Sequence, residues 1–276
     1  MRLTYFGTNT LLFQKGASTI LVDPHFSRPG VISLLSKIQP DHESITAGLR
    51  RVEITNLDAV LITHTHYDHA LDAVEIIRQT GGVLLGSESA VNCAKGASLP
   101  GQNYRQIKPG DTLTLGSFQI RIHPAQHIPF PAPLSWFLPD KGIISEPLSP
   151  PTIFWAYAPG EVLALQVEQV LVFGSAAGKP QAYQGLDVET VVLGIGGLEL
   201  KSQAYLERFY QEVVLNSGAR HVYLSHWDNF FKPLDRPLKP LGLANQTVQK
   251  IKSMGEQYGQ VVEKLQFGKT IELQTS

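Results

Sequence analysis

Cysteine and net charge are both scarce in this chain, and each scarcity excludes something. A single cysteine, Cys93, in 276 residues rules out an internal disulfide framework and leaves metal chemistry to histidine and carboxylate donors. With 23 basic and 24 acidic residues the formal charge is -1, so no global field draws in nucleic acid or an anionic membrane. No apolar run approaches the length of a membrane span. The opening Met1-Arg-Leu-Thr-Tyr-Phe-Gly7 alternates like a strand and lacks the charged and apolar regions of a secretion signal. Short-period repeats and low-complexity tracts are missing as well. These absences predict a cytoplasmic protein without a membrane span or a nucleic-acid partner.

What is present is enough apolar residue, 43%, to bury a sizeable core, and one domain over residues 1–276 is the expectation. Short strands are predicted at Leu3 to Phe6, Thr10 to Gln14 and Thr19 to Val22, split by Gly7, Asn9 and Gly16. Residues 24–56 carry few signals beyond an apolar cluster at Ile32 to Ile38, read as one short helix in a long connection. Ala59 to Thr63 reads as a buried strand, Ala70 to Gln79 as a one-sided helix and Val83 to Leu85 as strand. Strand patterns return at Thr112 to Leu115, Phe118 to His123, Val162 to Gln166, Val170 to Phe173, Val191 to Leu193 and His221 to Leu224. Helices are expected at Gln203 to Leu215 and Ala244 to Tyr258. Two batches of strands with interleaved helices fit two packed sheets covered by outer helices.

Two stretches are too rich in proline for regular structure and too apolar for solvated linkers. Residues 128–160 include Pro129, Phe130, Pro131, Pro133, Trp136, Phe137, Phe154, Trp155 and Tyr157, and residues 227–241 add Lys232, Arg236 and Lys239. Both read as lid or rim loops over a pocket, with packing on the core or on a second subunit of a homo-oligomer as the alternative.

The densest chemistry lies in His64-Thr-His66-Tyr-Asp68-His69, directly after the strand at Ala59. Chance would place His-x-His-x-Asp-His in a chain of this composition with a probability of roughly 0.0003. Residues two apart at a strand end share a face, so His64 and His66 can hold one ion. Asp68 and His69, where the chain turns into the next helix, can face a second position. Neutral imidazole and carboxylate are the usual nitrogen and oxygen donors for zinc. Six residues do not complete either coordination sphere. His127 and His226, each just past a strand, are the candidates to do so. His123 reads as a surface or supporting residue, and His25, His42 and His221 as ordinary histidines, with His25 singled out by its neighbour Asp23.

This set of residues resembles the metallo-β-lactamase superfamily of α/β (α+β) hydrolases, which are four-layer αββα sandwiches. Leu21-Val-Asp23-Pro24, Pro124-Ala-Gln-His127 and Ser225-His226-Trp227 look most like the branch of ascorbate 6-phosphate lactonase and the N-acyl phosphatidylethanolamine phospholipase D type enzymes. The resemblance implies that His64, His66 and His127 hold one metal and Asp68, His69 and His226 the other. It makes Asp23 a supporting group that fixes a ligand imidazole, where spacing alone reads an Asp-Pro turn. It also implies one or two zinc ions, with manganese or iron as alternatives, and water activated for attack on a small-molecule substrate that is an ester, lactone, amide or phosphodiester. Asp68 would be the catalytic residue, ligating and orienting the nucleophile, and Tyr67, Tyr157, Lys201 and Asn229 are proton-donor candidates by position. One departure stands out. Many members carry a bridging Asp in the turn that corresponds to Gly174-Ser175-Ala176, and Ala176 is read at its position. The competing readings are an iron-dependent redox member of the superfamily and a non-hydrolytic metal-binding sensor or assembly protein.

Overall fold

The computed structural model describes residues 1–132, 135, 138–234 and 237–273. Pro133, Trp136, Phe137 and Arg236, all noted in the rim loops, lie outside the described residues. The chain opens with the meander β1 (Arg2–Tyr5), β2 (Leu11–Lys15) and β3 (Ser18–Val22). The expected helix near Ile32 is only a 3-10 turn at Ser33–Leu35, followed by the short strand β4 (Lys37–Ile38). Next come α1 (His42–Arg51), β5 (Ala59–Leu61), α2 (Tyr67–Ala70), α3 (Ala73–Thr80), β6 (Val83–Gly86), α4 (Glu88–Gly96) and β7 (Tyr104–Gln106). The single helix expected from Ala70 is therefore two, and the first begins inside the histidine cluster.

The second half runs through β8 (Thr112–Leu115), β9 (Phe118–Pro124), β10 (Thr152–Ile153), β11 (Leu163–Val167), β12 (Val170–Phe173) and β13 (Thr190–Gly194). It continues with α5 (Gln203–Tyr210), which widens into a π-helical turn over Gln211–Leu215, then β14 (His221–Ser225), α6 (Ala244–Gln257), β15 (Val261–Lys264) and β16 (Thr270–Glu272).

The strands form two seven-stranded sheets, ordered β16-β1-β2-β3-β5-β6-β7 and β15-β14-β13-β12-β11-β9-β8, while β4 pairs only with β10. Each sheet is antiparallel on one side and parallel on the other. Alternation sorts the side chains. Leu3, Leu11, Phe13, Ile20 and Leu61 meet Phe118, Ile120, Leu165 and Val172 between the sheets. Leu12, Leu21, Val60 and Leu84 point the other way, against Ile45 and Leu49 of α1 and Val74 and Ile77 of α3. Leu206 and Phe209 of α5 and Val248 and Ile251 of α6 cover the outer face of the second sheet. The result is two central sheets flanked by helices, the predicted fold class.

Register sets the functional end of this sandwich. Val22 pairs with Leu61 in the first sheet, and Phe173, Leu193 and Leu224 form one row in the second. The parallel strands thus end level with one another, and the crevice beyond their carboxyl ends is where open α/β sheets place ligands. Asp23, His64, Ser175, Gly196 and His226 all follow directly from those ends.

Candidate metal centre

His64, His66 and His127 each place one ring nitrogen within 4.8 Å of the others, and Asp68, His69 and His226 do the same with a carboxylate oxygen and two ring nitrogens. The second triangle is tight. Its edges are 3.1 Å from Asp68 Oδ2 to His226 Nε2, 3.6 Å from that oxygen to His69 Nε2, and 3.3 Å between the two nitrogens. Metal bonds of about 2.0 Å in a tetrahedral site would set donor atoms about 3.3 Å apart, so these edges fit a zinc-sized ion. The His64 and His69 rings, one from each group, lie 3.9 Å apart between centroids, which makes the two positions neighbours.

Hydrogen bonds at the far side of four of the five rings decide which nitrogen is free, while His226 Nδ1 is buried without such a partner. His69 Nδ1 donates to Asp23 Oδ2 at 2.9 Å. His64 Nδ1 lies 3.2 Å from Thr63 Oγ1, which itself donates to Asp23 Oδ2 at 2.6 Å. His127 Nδ1 donates to the Ile128 carbonyl at 2.8 Å, and His66 Nε2 to the Pro139 carbonyl at 2.6 Å. Each contact fixes a tautomer whose opposite nitrogen carries the lone pair.

Asp23 is the hub of this arrangement. It is fully buried and accepts four hydrogen bonds, the remaining two from Thr63 N and Asn9 Nδ2. Asn9 Oδ1 in turn accepts from Ser225 Oγ, the residue before His226. A second network holds His226 from behind. Its backbone is left-handed, with φ 55°, and its N–H donates to the Thr8 carbonyl. Asp228 accepts from Thr8 N and Tyr5 Oη and forms a wholly buried ion pair with Arg28. Asn9, Thr63, Arg28 and Asp228 escape sequence reasoning as supporting residues because no local spacing links them to the histidines; the Gly7-Thr-Asn9 turn and Ser225 of Ser225-His226-Trp227 stood out, without these contacts.

The charge states suit metal donors. Burial lowers the His64 and His127 imidazoles well below their usual range and brings His66 down to about 4, so all three are neutral at pH 7. Burial would raise the Asp68 carboxyl, but His69 and His226 beside it hold it well below the carboxylate range. Burial opposes charge on His69 too, yet Asp68 and Asp23 carry its pKa upward. The three neutral imidazoles of the first group fit a borderline divalent cation, and an ion at the second group would displace any proton held by His69.

The turn after β12 corrects one expectation. Gly174 and Ser175 line the cleft with the histidines, whereas Ala176 is fully buried within the apolar core. The residue facing the candidate metal positions is therefore Ser175, one place earlier than Ala176. Its Oγ accepts from Ile128 N at 3.0 Å.

The cleft measures about 280 Å³ and is walled by both rim stretches, through Ile128, Phe130, Phe154, Phe230, Phe231 and Leu241. Of the four proton-donor candidates, Tyr67 and Tyr157 line it. Lys201 instead donates to the Pro129 carbonyl, and Asn229 bonds to Lys239 and Phe231. Lys232 and Lys239 are exposed and do not line it. His123 bonds to Gln166 and His42 to Glu75, away from the centre. His25 is wholly buried, edge-on to Tyr67 and Phe230, with neither ring nitrogen bonded.

Comparison with known proteins gives consistent findings. A beta-lactamase superfamily domain matches residues 2–141. A protein of Methylobacterium nodulans named UPF0173 metal-dependent hydrolase is 27% identical over 240 residues, covering 85% of this chain and 92% of that protein. One of the same name from Oenococcus oeni is 27% identical over 134 residues, and there the match spans only 46% of this chain and 49% of that protein. Among solved structures, Igni18, a metallo hydrolase from Ignicoccus hospitalis, superposes with a TM-score of 0.58 at 20% identity, covering 99% of both chains. The diiron β-hydroxylase CmlA of Streptomyces venezuelae does so with a TM-score of 0.59 at 18% identity, over 99% of this chain and 54% of that one. Those two likenesses concern the fold.

Proposed function

The chain belongs to the beta-lactamase superfamily, and on that footing we propose that it is a metal-dependent hydrolase with a dinuclear, zinc-type centre. The observation that carries this reading is the pair of adjoining donor groups, His64, His66, His127 and Asp68, His69, His226. The names of its relatives support it. So does the donor count, because one carboxylate among six donors suits hydrolysis better than iron–oxygen chemistry. A divalent cation in such a site supplies a Lewis acid and lowers the pKa of bound water to about 7.

The chain's own residues do the rest. Asp68 binds and orients, and stays ionised beside His69 and His226. Asp23 keeps one imidazole of each group, His69 directly and His64 through Thr63, in the binding tautomer. The phenols of Tyr67 and Tyr157 are raised by burial, so they remain protonated and donate hydrogen bonds to the oxygen that gains charge. The two rim stretches act as a lid that keeps bulk water from the reacting bond. The bond is an ester, lactone, amide or phosphodiester, in line with the lactonase and phospholipase D-like branch that the motifs around Asp23, His127 and His226 resemble.

Elemental analysis of protein purified without chelator tests this directly. Two zinc ions per chain are expected, with one lost in each of Asp68→Ala and His127→Ala and hydrolysis abolished in both. Protein that holds no metal would sink the reading.

A further inference from the structure

The wall of the cleft narrows the substrate further than the donors do. Among the described residues that line it there is no lysine or arginine, and apart from the histidines the charged groups are Asp68 and Glu199. Among the described residues, the nearby Lys201, Arg28 and Lys232 are engaged or exposed. Lys201 is bonded to the Pro129 carbonyl and lies over the Tyr205 ring, Arg28 is paired with Asp228, and Lys232 is exposed. The remaining wall is aromatic and aliphatic, with Ile128, Phe130, Phe154, Phe230 and Phe231 around the donor groups.

An anionic substituent that reaches past the metal positions into this wall would lose its water without gaining a counter-charge from a lysine or arginine, and would face Glu199. An uncharged hydrocarbon group gains from the same wall. At about 280 Å³ the space lies near the lower end of small-molecule sites, about 300–1,000 Å³, so the group is short.

We infer that this cleft takes a neutral, apolar acyl group, and that the bond cleaved is a carboxylic ester, lactone or amide of an acid that carries no phosphate or other charged substituent. The inference rests on the hydrolase reading above. Water oxygen bonds to the acyl carbon and the C–O or C–N bond breaks. One water proton passes to the departing oxygen or nitrogen, so the products are a carboxylic acid and an alcohol or amine.

The test uses the full chain with its zinc content verified. Rates on 4-nitrophenyl esters from acetyl to octanoyl are compared with the rate on bis(4-nitrophenyl) phosphate, with Asp68→Ala as the blank. Calorimetric binding of hexanamide is compared with that of acetamide. Expected is a kcat/KM that climbs roughly three- to fourfold per methylene until the cleft is full. The phosphate diester should run at least a hundredfold slower than the best ester, and hexanamide should bind at least tenfold tighter than acetamide. Leu200→Arg, which puts a cation at a half-exposed cleft position, should narrow the ester-to-phosphate ratio tenfold or more. A preference for the phosphate diester, or rates and affinities flat with chain length, overturns the inference. If no compound turns over at full zinc content while hexanamide still outbinds acetamide, the hydrolase reading falls and the apolar assignment of the cleft stands.

Discussion

Asp23 and His69 share a 2.9 Å hydrogen bond in the interior, and the same carboxylate oxygen accepts from Thr63, whose hydroxyl contacts His64. One carboxylate therefore positions an imidazole in each donor group. Losing such a partner typically weakens metal binding 10- to 100-fold. Asp23→Ala is expected to weaken both metal positions together, whereas a ligand variant such as His127→Ala empties one. Stepwise zinc titration with a competing chelator distinguishes the two patterns; loss confined to one position in Asp23→Ala would count against the hub.

The turn after β12 offers a sharper test because three adjacent residues have three different surroundings. A Cβ on Gly174 would sit 1.9 Å from Thr63 Oγ1 and 2.8 Å from Asp23 Oδ2. Gly174→Ala should therefore displace the hub, with a stability loss of about 1–3 kcal/mol and impaired metal retention. Ser175→Asp places a carboxylate in the cleft and should tighten metal binding. Ala176→Asp places it in the core and should destabilise by several kcal/mol. Denaturant unfolding with and without zinc reads all three.

Arg28 and Asp228 are both wholly buried, and Arg28 Nε and Nη1 have no partner. Removing one member of such a pair strands the other and costs about 3–5 kcal/mol. Arg28→Met should lose that much in urea unfolding, and Arg28→Met with Asp228→Asn together distinctly less than the sum of the two single changes. Additivity would show that the pair is not coupled.

Asp72 sets a pH dependence. Burial pushes its carboxyl up to about 6, although it accepts from Phe26 N and Ser27 N. Between the unfolded value near 4 and the folded value the native state holds the extra proton, so stability falls as pH rises through that window. The loss is on the order of 3 kcal/mol. Asp72→Asn cannot ionise, so wild type should lose stability relative to it from pH 4 to 6.5 and then run parallel. Unfolding curves across that range check this, and a constant difference would refute it.

The elements readable in advance were those whose pattern is local. β5 and β12 are continuous apolar runs, and with the strand at His221 their bounds match expectation to within two residues. α1 and α4 were not foreseen. α1 buries only Ile45, Gly48 and Leu49, with Gly48 required because a Cβ there would strike the Phe26 ring. α4 buries the unbroken run Ser89 to Ala94, mostly small or polar residues, which carries no one-sided periodic signal. β16 was also missed, since three residues pairing with β1 across the whole chain leave no local trace. The same division holds at the centre. Six donors stand out by residue type and position after strands, whereas Asn9, Thr63 and Ser225 reach Asp23 only through tertiary closure. The displacement from Ala176 to Ser175 has a similar origin, because only the three-dimensional path of the turn fixes which residue faces the cleft.

The order of the donors along the chain makes the two corners of the centre unequal in time. Every residue of the three-histidine corner has been synthesised once His127 is in place, whereas the other corner waits for His226. That interval is about 100 residues, roughly 5–20 s of translation. A scarce ion thus meets an unfinished polypeptide with one corner already written, and the arrival of a single late histidine sets when the second can close.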